Sequence, residues 1–338
     1  MYNNKNTMDL TRRNFLKIAG ATAVSGMMLP TVHVHSFTGK YATIIDLTRC
    51  DGCKGEPIPL CVKACKEENK AKFPEPVKNI QPYWPHKFYE DWSTKRDVFN
   101  TLTPYNWIFV QRVVLDDGRE IFIPRRCMHC DNPPCVSLCP FGALAKEKEG
   151  NTVISDKLCF GGAKCRDVCP WHIPQRQAGV GLYLKIMPKF AGGGVMYKCD
   201  LCSDRISNGK QPACVEACQK RLRENTALAF GDRNTIFSSA AARAKKEGLH
   251  IYGDTQNGGT STLYLSQVPF ALIEDRMRSK KEKFQMATNI LSPLEKAHGL
   301  AKYFLVGSVI PALAAVVAAL CAGKKKTKPV KDTTDEDT

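Results

Sequence analysis

What this chain of 338 residues does not contain narrows its chemistry first. It has no glycine-rich loop shaped to cradle a phosphate and no nucleophile–base signature. Nucleotide hydrolysis and covalent hydrolytic catalysis therefore have no motif behind them. Acidic residues are outnumbered, 33 against 49 basic ones, for a formal net charge of +16. Long, strongly apolar runs are also scarce, the clearest being the 21 uncharged residues 303–323.

Cysteine is the residue in excess. There are sixteen, and fifteen of them fall into four groups. The first is Cys50, Cys53, Cys61 and Cys65. The second is Cys127, Cys130, Cys135 and Cys139, followed by Pro140. Cys159, Cys165 and Cys169 form the third, followed by Pro170, and Cys199, Cys202, Cys214 and Cys218 form the fourth. Cys321 stands apart in the apolar run 303–323 and reads as a packing residue.

Spacing carries the chemistry. A tight loop that opens with C-x2-C can point three sulfurs at one iron–sulfur cubane. The cysteine that trails by three intervening residues sits on the next helical turn and serves the neighbouring cluster, as in two-cluster bacterial ferredoxins. The prolines after Cys139 and Cys169 fit that arrangement, whereas Lys66 and Gln219 occupy the same place in groups one and four. Structural zinc also uses paired C-x2-C turns, but it needs no third and fourth cysteine in this trailing order. Disulfide frameworks have looser spacing. The third group lacks one cysteine, with Gly162 in its place. Three sulfurs suit a 3Fe–4S cluster; a 4Fe–4S cluster with a non-cysteine ligand and an empty degenerate site are the alternatives. Lys164 and Asp167 lie in that loop, and nothing marks either as a ligand.

The positive charge now has a plain cause. Each cysteine-ligated cluster carries roughly −2, so four of them offset much of the basic excess. Nucleic-acid binding is not needed to explain it.

The ends of the chain are read as addresses. Thr11-Arg12-Arg13-Asn14-Phe15-Leu16-Lys17 precedes a mildly apolar stretch from Ile18 to Pro30, the form of a twin-arginine export signal. That stretch is too short and too rich in Ala and Gly to span a bilayer. Export in the folded state would let clusters be inserted in a reducing cytosol and carried across intact. At the other end, residues 303–323 read as one transmembrane helix, with Lys324, Lys325, Lys326 and Lys328 placing the tail in the cytoplasm. The globular part is then expected on the periplasmic face of the membrane.

Between the cysteine groups a few elements are legible. Residues 107–123 alternate around Asp117-Gly118 and predict a hairpin. Thr235 to Glu247 predicts a helix that Gly248 ends. Asn257-Gly258-Gly259 predicts a turn before a strand at Thr262–Leu265. Trp84, Trp92, Trp107, Tyr83 and Tyr89 fall in the insertion 66–126 and read mainly as packing residues. His129, inside Cys127-Met128-His129-Cys130, is placed to hydrogen-bond a cluster sulfur or to be an ordinary loop histidine.

On these motifs the chain resembles the four-cluster ferredoxin-like subunits of membrane-bound respiratory oxidoreductases. It is most similar to the exported, C-terminally anchored iron–sulfur subunit of periplasmic nickel–iron hydrogenases, and Gly258-Gly259-Thr260 through Pro269-Phe270 also resembles formate dehydrogenase subunits. The resemblance implies an α+β fold of two pseudo-symmetric two-cluster ferredoxin-like units with a long insertion, plus one C-terminal transmembrane helix. The expected boundaries are a signal peptide at 1–36, an iron–sulfur domain at 37–270 with its insertion at 66–126, a linker at 271–302, the membrane helix at 303–323 and a charged tail at 324–338.

The resemblance also implies a ligand exchange. Cys50, Cys53, Cys61 and Cys218 would hold one cluster, and Cys199, Cys202, Cys214 and Cys65 its neighbour. Cys127, Cys130, Cys135 and Cys169 would hold a third, and Cys159, Cys165 and Cys139 the deficient fourth. That makes three 4Fe–4S clusters and one 3Fe–4S cluster, or a 4Fe–4S cluster with a non-cysteine ligand. The implied role is a non-catalytic wire between a catalytic subunit, a hydrogenase first and a molybdenum or tungsten oxidoreductase or cytochrome c second, and a quinone-reactive membrane subunit. A membrane-tethered zinc scaffold is the reading from another class.

Overall fold

The computed structural model describes residues 39–82, 89–186 and 193–292. Its centre is a four-stranded mixed sheet with strand order β8-β1-β10-β9. Strand β1 (Tyr41–Asp46) runs parallel to β10 (Thr262–Ser266), pairing Thr43 with Thr262 and Asp46 with Leu265. Strands β8 (Leu228–Asp232) and β9 (His250–Tyr252) flank this pair antiparallel. Residues more than 200 apart in sequence are thus joined in one ladder, and the first and last cysteine groups are drawn to the same end of it.

Both faces of the central pair are packed, so β1 and β10 are largely buried rather than alternating. Every side chain of β10 is buried. Of the four longest helices, α3 (Arg233–Glu247) covers one face through Ile236, Ala240 and Ala244. Its start is capped by Asp232, whose carboxylate accepts from the Thr235 amide at 3.1 Å. Gly248 ends it in the left-handed conformation at φ 66°, as expected from sequence.

The remaining strands are short antiparallel ribbons. The predicted hairpin is present as β2 (Phe109–Val114) and β3 (Glu120–Arg125), turning through Gly118 at φ 83°. Two three-residue ribbons, β4 with β5 (Leu144–Lys146, Thr152–Ile154) and β6 with β7 (Gln175–Gln177, Val195–Tyr197), frame the second and third cysteine groups. In the insertion, Tyr105 and Trp107 are buried, and the Trp107 ring lies 6.5 Å from that of Tyr197. These aromatics fill space between the insertion and the cluster-bearing loops.

One expectation is corrected here. The transmembrane helix does not belong to the fold described: among the described residues no helix is long and apolar enough to cross a membrane. The longest, α3, has 15 residues and spans about 22 Å at 1.5 Å per residue, short of a hydrocarbon core of about 30 Å. The run 303–323 lies outside the described residues, as do the expected signal peptide and charged tail.

The first part of the segment read as a linker is helical. Helix α4 (Phe270–Ser279) begins after Pro269 and buries Phe270, Ile273, Glu274 and Met277, spaced as one helical face. Phe284 and Met286 continue into the same core. A charged surface face hid the apolar stripe from a reading by composition. Ile273 is wholly buried, so Ile273→Ala is expected to cost about 2–5 kcal/mol in denaturant unfolding. A cost near zero would return this segment to the status of a linker.

Candidate iron–sulfur centres

The cysteine-bearing turns are built from left-handed backbone. Gly52 and Cys53 in group one, His129 in group two, Gly161 and Ala163 in group three, and Leu201 and Cys202 in group four all have φ between 49° and 68°. Such turns swing successive amides inward and make small anion-binding concavities. Several of these amides reach sulfur: Leu201 N–H donates to Cys199 Sγ at 3.4 Å, and the Gly161 and Met196 amides both donate to Cys159 Sγ at 3.4 Å. The Leu60 amide does the same for Cys53 at 3.4 Å.

The third and fourth cysteines of groups one and four sit on helices α1 (Leu60–Glu68) and α2 (Ala213–Leu222), which pack on each other. Their sulfurs divide between two sites. Cys50, Cys53, Cys61 and Cys218 line one small cavity of about 20 Å³. Cys65, on the next turn of α1, instead lies within electrostatic reach of Cys199, Cys214 and Cys202.

Groups two and three divide the same way. Cys127, Cys130, Cys135 and Cys169 line a small cavity of about 20 Å³ together with Trp171 and Asn257. Cys139, Cys159 and Cys165 line a wider one of about 310 Å³, with Gly162 on its wall and Phe141 stacked on Phe160 at 4.2 Å between ring centroids. All fifteen described cysteines are free thiols.

These four sets lie in file. Cys61 neighbours Cys214, Cys199 neighbours Cys127, and Cys165 neighbours Cys169. The first set therefore leads to the second, the second to the third, and the third to the cysteine-poor fourth.

Burial pushes the thiols up, Cys50, Cys165 and Cys199 to about 12 and Cys169 to about 11. A metal core must displace these protons, so the thiols are held for a partner that rewards the thiolate. The donor chemistry fits an iron–sulfur core: sulfur is the ligand atom facing each site. The exception at the first site, the Asp51 carboxylate, is engaged by Arg221 at 2.6 and 2.8 Å. A single zinc ion would hold its sulfurs about 3.8 Å apart, given Zn–S bonds of about 2.3 Å. Among the described residues no group of three or more His, Cys, Asp or Glu side chains is placed to hold a single metal ion.

Buried cations surround the middle of the file. Arg126 precedes Cys127 and faces Cys199 and Cys214, while Lys198 precedes Cys199 and faces Cys127 and Cys135. Asn257 donates from Nδ2 to Cys130 Sγ at 3.2 Å. The sequence reading missed all three. The available signal was a basic residue directly before the first cysteine in groups one, two and four, where Arg49, Arg126 and Lys198 stand.

A salt bridge fastens the insertion to the fourth site. Glu90 accepts from both terminal nitrogens of Arg166 at 2.8 Å, with Arg176 at 3.5 Å behind it. Burial alone would raise the Glu90 carboxyl, but the hydrogen bonds and charge of Arg166 hold it below its ordinary value. A depressed carboxylate stabilises the fold above its unfolded pKa of about 4.3, and that contribution is lost as pH falls through the folded value. Glu90→Gln is accordingly expected to cost about 1.5–3 kcal/mol at pH 7 and much less under acid conditions where Glu90 is itself protonated. Equal costs in both conditions would show that the charge is not what matters.

A fold of short ribbons and paired helices around four sulfur-lined sites defines a class: a multi-cluster ferredoxin-like protein. Comparison with known proteins agrees. The descriptions that match are both "4Fe-4S dicluster domain", over residues 49–143 and 119–228. A protein of Nitratidesulfovibrio vulgaris strain Hildenborough is 30% identical over 275 residues, which cover 78% of this chain and 66% of that protein. The hydrogenase-2 operon protein HybA of Escherichia coli O157:H7 is 29% identical over 305 residues, 77% of this chain and 82% of that one. The probable anaerobic dimethyl sulfoxide reductase chain YnfG of Escherichia coli strain K12 is 31% identical over 194 residues, 57% of this chain and 74% of that one. The chain belongs to this 4Fe–4S dicluster family, and it is a non-catalytic iron–sulfur electron-transfer subunit of the oxidoreductase type.

Proposed function

We propose that the chain passes single electrons through four clusters between a catalytic oxidoreductase subunit and a quinone-reactive membrane subunit. The observation that carries the reading is the file of four sulfur sets, each next to the one before. In it, Cys50, Cys53, Cys61 and Cys218 hold the first 4Fe–4S cluster and Cys65, Cys199, Cys202 and Cys214 the second. Cys127, Cys130, Cys135 and Cys169 hold the third. Cys139, Cys159 and Cys165 hold a 3Fe–4S cluster, supported by Gly162 standing where a fourth sulfur would be. Iron–sulfur clusters supply the one-electron carriers; the chain supplies their order, their burial and the hydrogen bonds to their sulfurs.

A hydrogenase is the first choice of catalytic partner, supported by the likeness to a hydrogenase-2 operon protein. An anaerobic reductase of the dimethyl sulfoxide kind is the alternative, supported by the other relative. Export by the twin-arginine route to the periplasmic side is part of the same reading and rests on residues 11–17.

Anaerobic purification tests the reading. A brown protein with about fifteen irons per chain supports it. A colourless protein holding zinc would overturn it. Cross-linking to a co-purified subunit, followed by its identification, decides between the two catalytic partners.

A further inference from the structure

One residue joins the second and third sulfur sets. His129 lies between Cys127 and Cys130, so its backbone belongs to the third set, yet its ring reaches Cys199 of the second. The ring is fully buried, and its backbone is left-handed at φ 52°. Lys146 Nζ at 3.1 Å and the Ser261 amide at 3.0 Å both donate to the His129 carbonyl and hold the loop in place.

The hydrogen bonds settle which ring nitrogen carries the proton. Nδ1 accepts from the Thr152 amide at 3.0 Å. The proton of the neutral ring therefore sits on Nε2, which stands 3.7 Å from Cys199 Sγ. The Nε2–H group of the neutral ring is thus the donor that faces the Cys199 sulfur.

We propose that His129 sets the reduction potential of the cluster held by Cys65, Cys199, Cys202 and Cys214, by donating Nε2–H to the Cys199 sulfur. Reduction adds negative charge to the sulfurs, so a donor aimed at one of them favours the reduced state. His129 is a positioning residue: the third site's own loop holds the donor that tunes the second. The inference rests on the four-cluster reading, and the two fail differently, since metal content tests the clusters and potential tests His129.

The experiment is an EPR-monitored redox titration of the whole protein and two variants. His129→Asn keeps a residue that tolerates left-handed backbone but is too short to reach Cys199. His129→Gln keeps a donor of sufficient length. With iron content unchanged, His129→Asn is expected to lower one potential by roughly tenfold in the reduced-to-oxidised ratio, about 59 mV for one electron. The other potentials hold, and His129→Gln recovers most of the shift. Equal potentials in all three proteins, or one shift shared by every cluster, would overturn it. A measurement on the unaltered protein stands independently of whether the variants fold. With ¹⁵N-labelled histidine, pulsed EPR of the reduced protein is expected to show one weak ¹⁵N coupling, and its absence also overturns the proposal.

Discussion

Replacing Gly162 by cysteine is expected to abolish a three-iron EPR signal in the air-oxidised protein and to raise iron from about fifteen to about sixteen per chain. The backbone permits the change. Gly162 is not among the residues with positive φ, and a Cβ built on it meets no atom within 4 Å. It also lines the cavity that Cys139, Cys159 and Cys165 share. Its neighbour Gly161 could not be used in the same way. At φ 68°, a Cβ there would fall 2.5 Å from the Gly194 carbonyl oxygen. A fourth thiolate on an unobstructed wall completes a four-iron core, and the potential of that centre should fall as anionic sulfur is added. If Gly162→Cys leaves both the signal and the iron count as they were, the assignment of a three-iron core to this site is wrong.

Changing Cys65 to serine is expected to remove about four irons and to leave the cluster of Cys50, Cys53 and Cys61 in place. Proximity alone would group Cys65 with those three, but it is the trailing cysteine of its run and sits one helical turn further on. The packing of α1 on α2 separates them. Cys61 faces the cavity with Cys50, Cys53 and Cys218, while Cys65 faces Cys199, Cys202 and Cys214. Asn69 steadies Cys65 by donating from Nδ2 to its carbonyl at 2.9 Å and toward its sulfur at 3.6 Å. Cys218→Ser gives the mirror outcome, with the first cluster lost and the second kept. Metal analysis with EPR of the reduced variants checks both. Loss of the first cluster in Cys65→Ser would mean that each cysteine run serves its own cluster.

The site was legible to an unusual degree because cysteine chemistry is sparse in its solutions. A C-x2-C turn followed by a trailing cysteine has few uses, so the fifteen residues could be named without coordinates. The hairpin around Gly118 and the end of α3 at Gly248 were legible for a similar reason, since left-handed backbone is marked by glycine. The surroundings of the sulfurs were not. Asn257 looked like part of a turn, but its side chain reaches Cys130 across 127 residues. Lys198 and Arg126 looked like two more entries in a basic composition, yet they are buried between the second and third sets. Helix α4 was hidden because four of its ten residues are charged and only the spacing of Phe270, Ile273 and Met277 shows its buried face.

The local chemistry of this protein follows from sequence alone: which side chains offer sulfur, and where a loop must turn to point several of them at one place. Those are properties of a few neighbouring residues. The arrangement of the sites in a file, the buried cations between the second and third sets, and the ring that bridges those sets were decided only by tertiary structure. Each depends on segments far apart in the chain, brought together by the pairing of β1 with β10 and by burial, and no local pattern encodes such a distance.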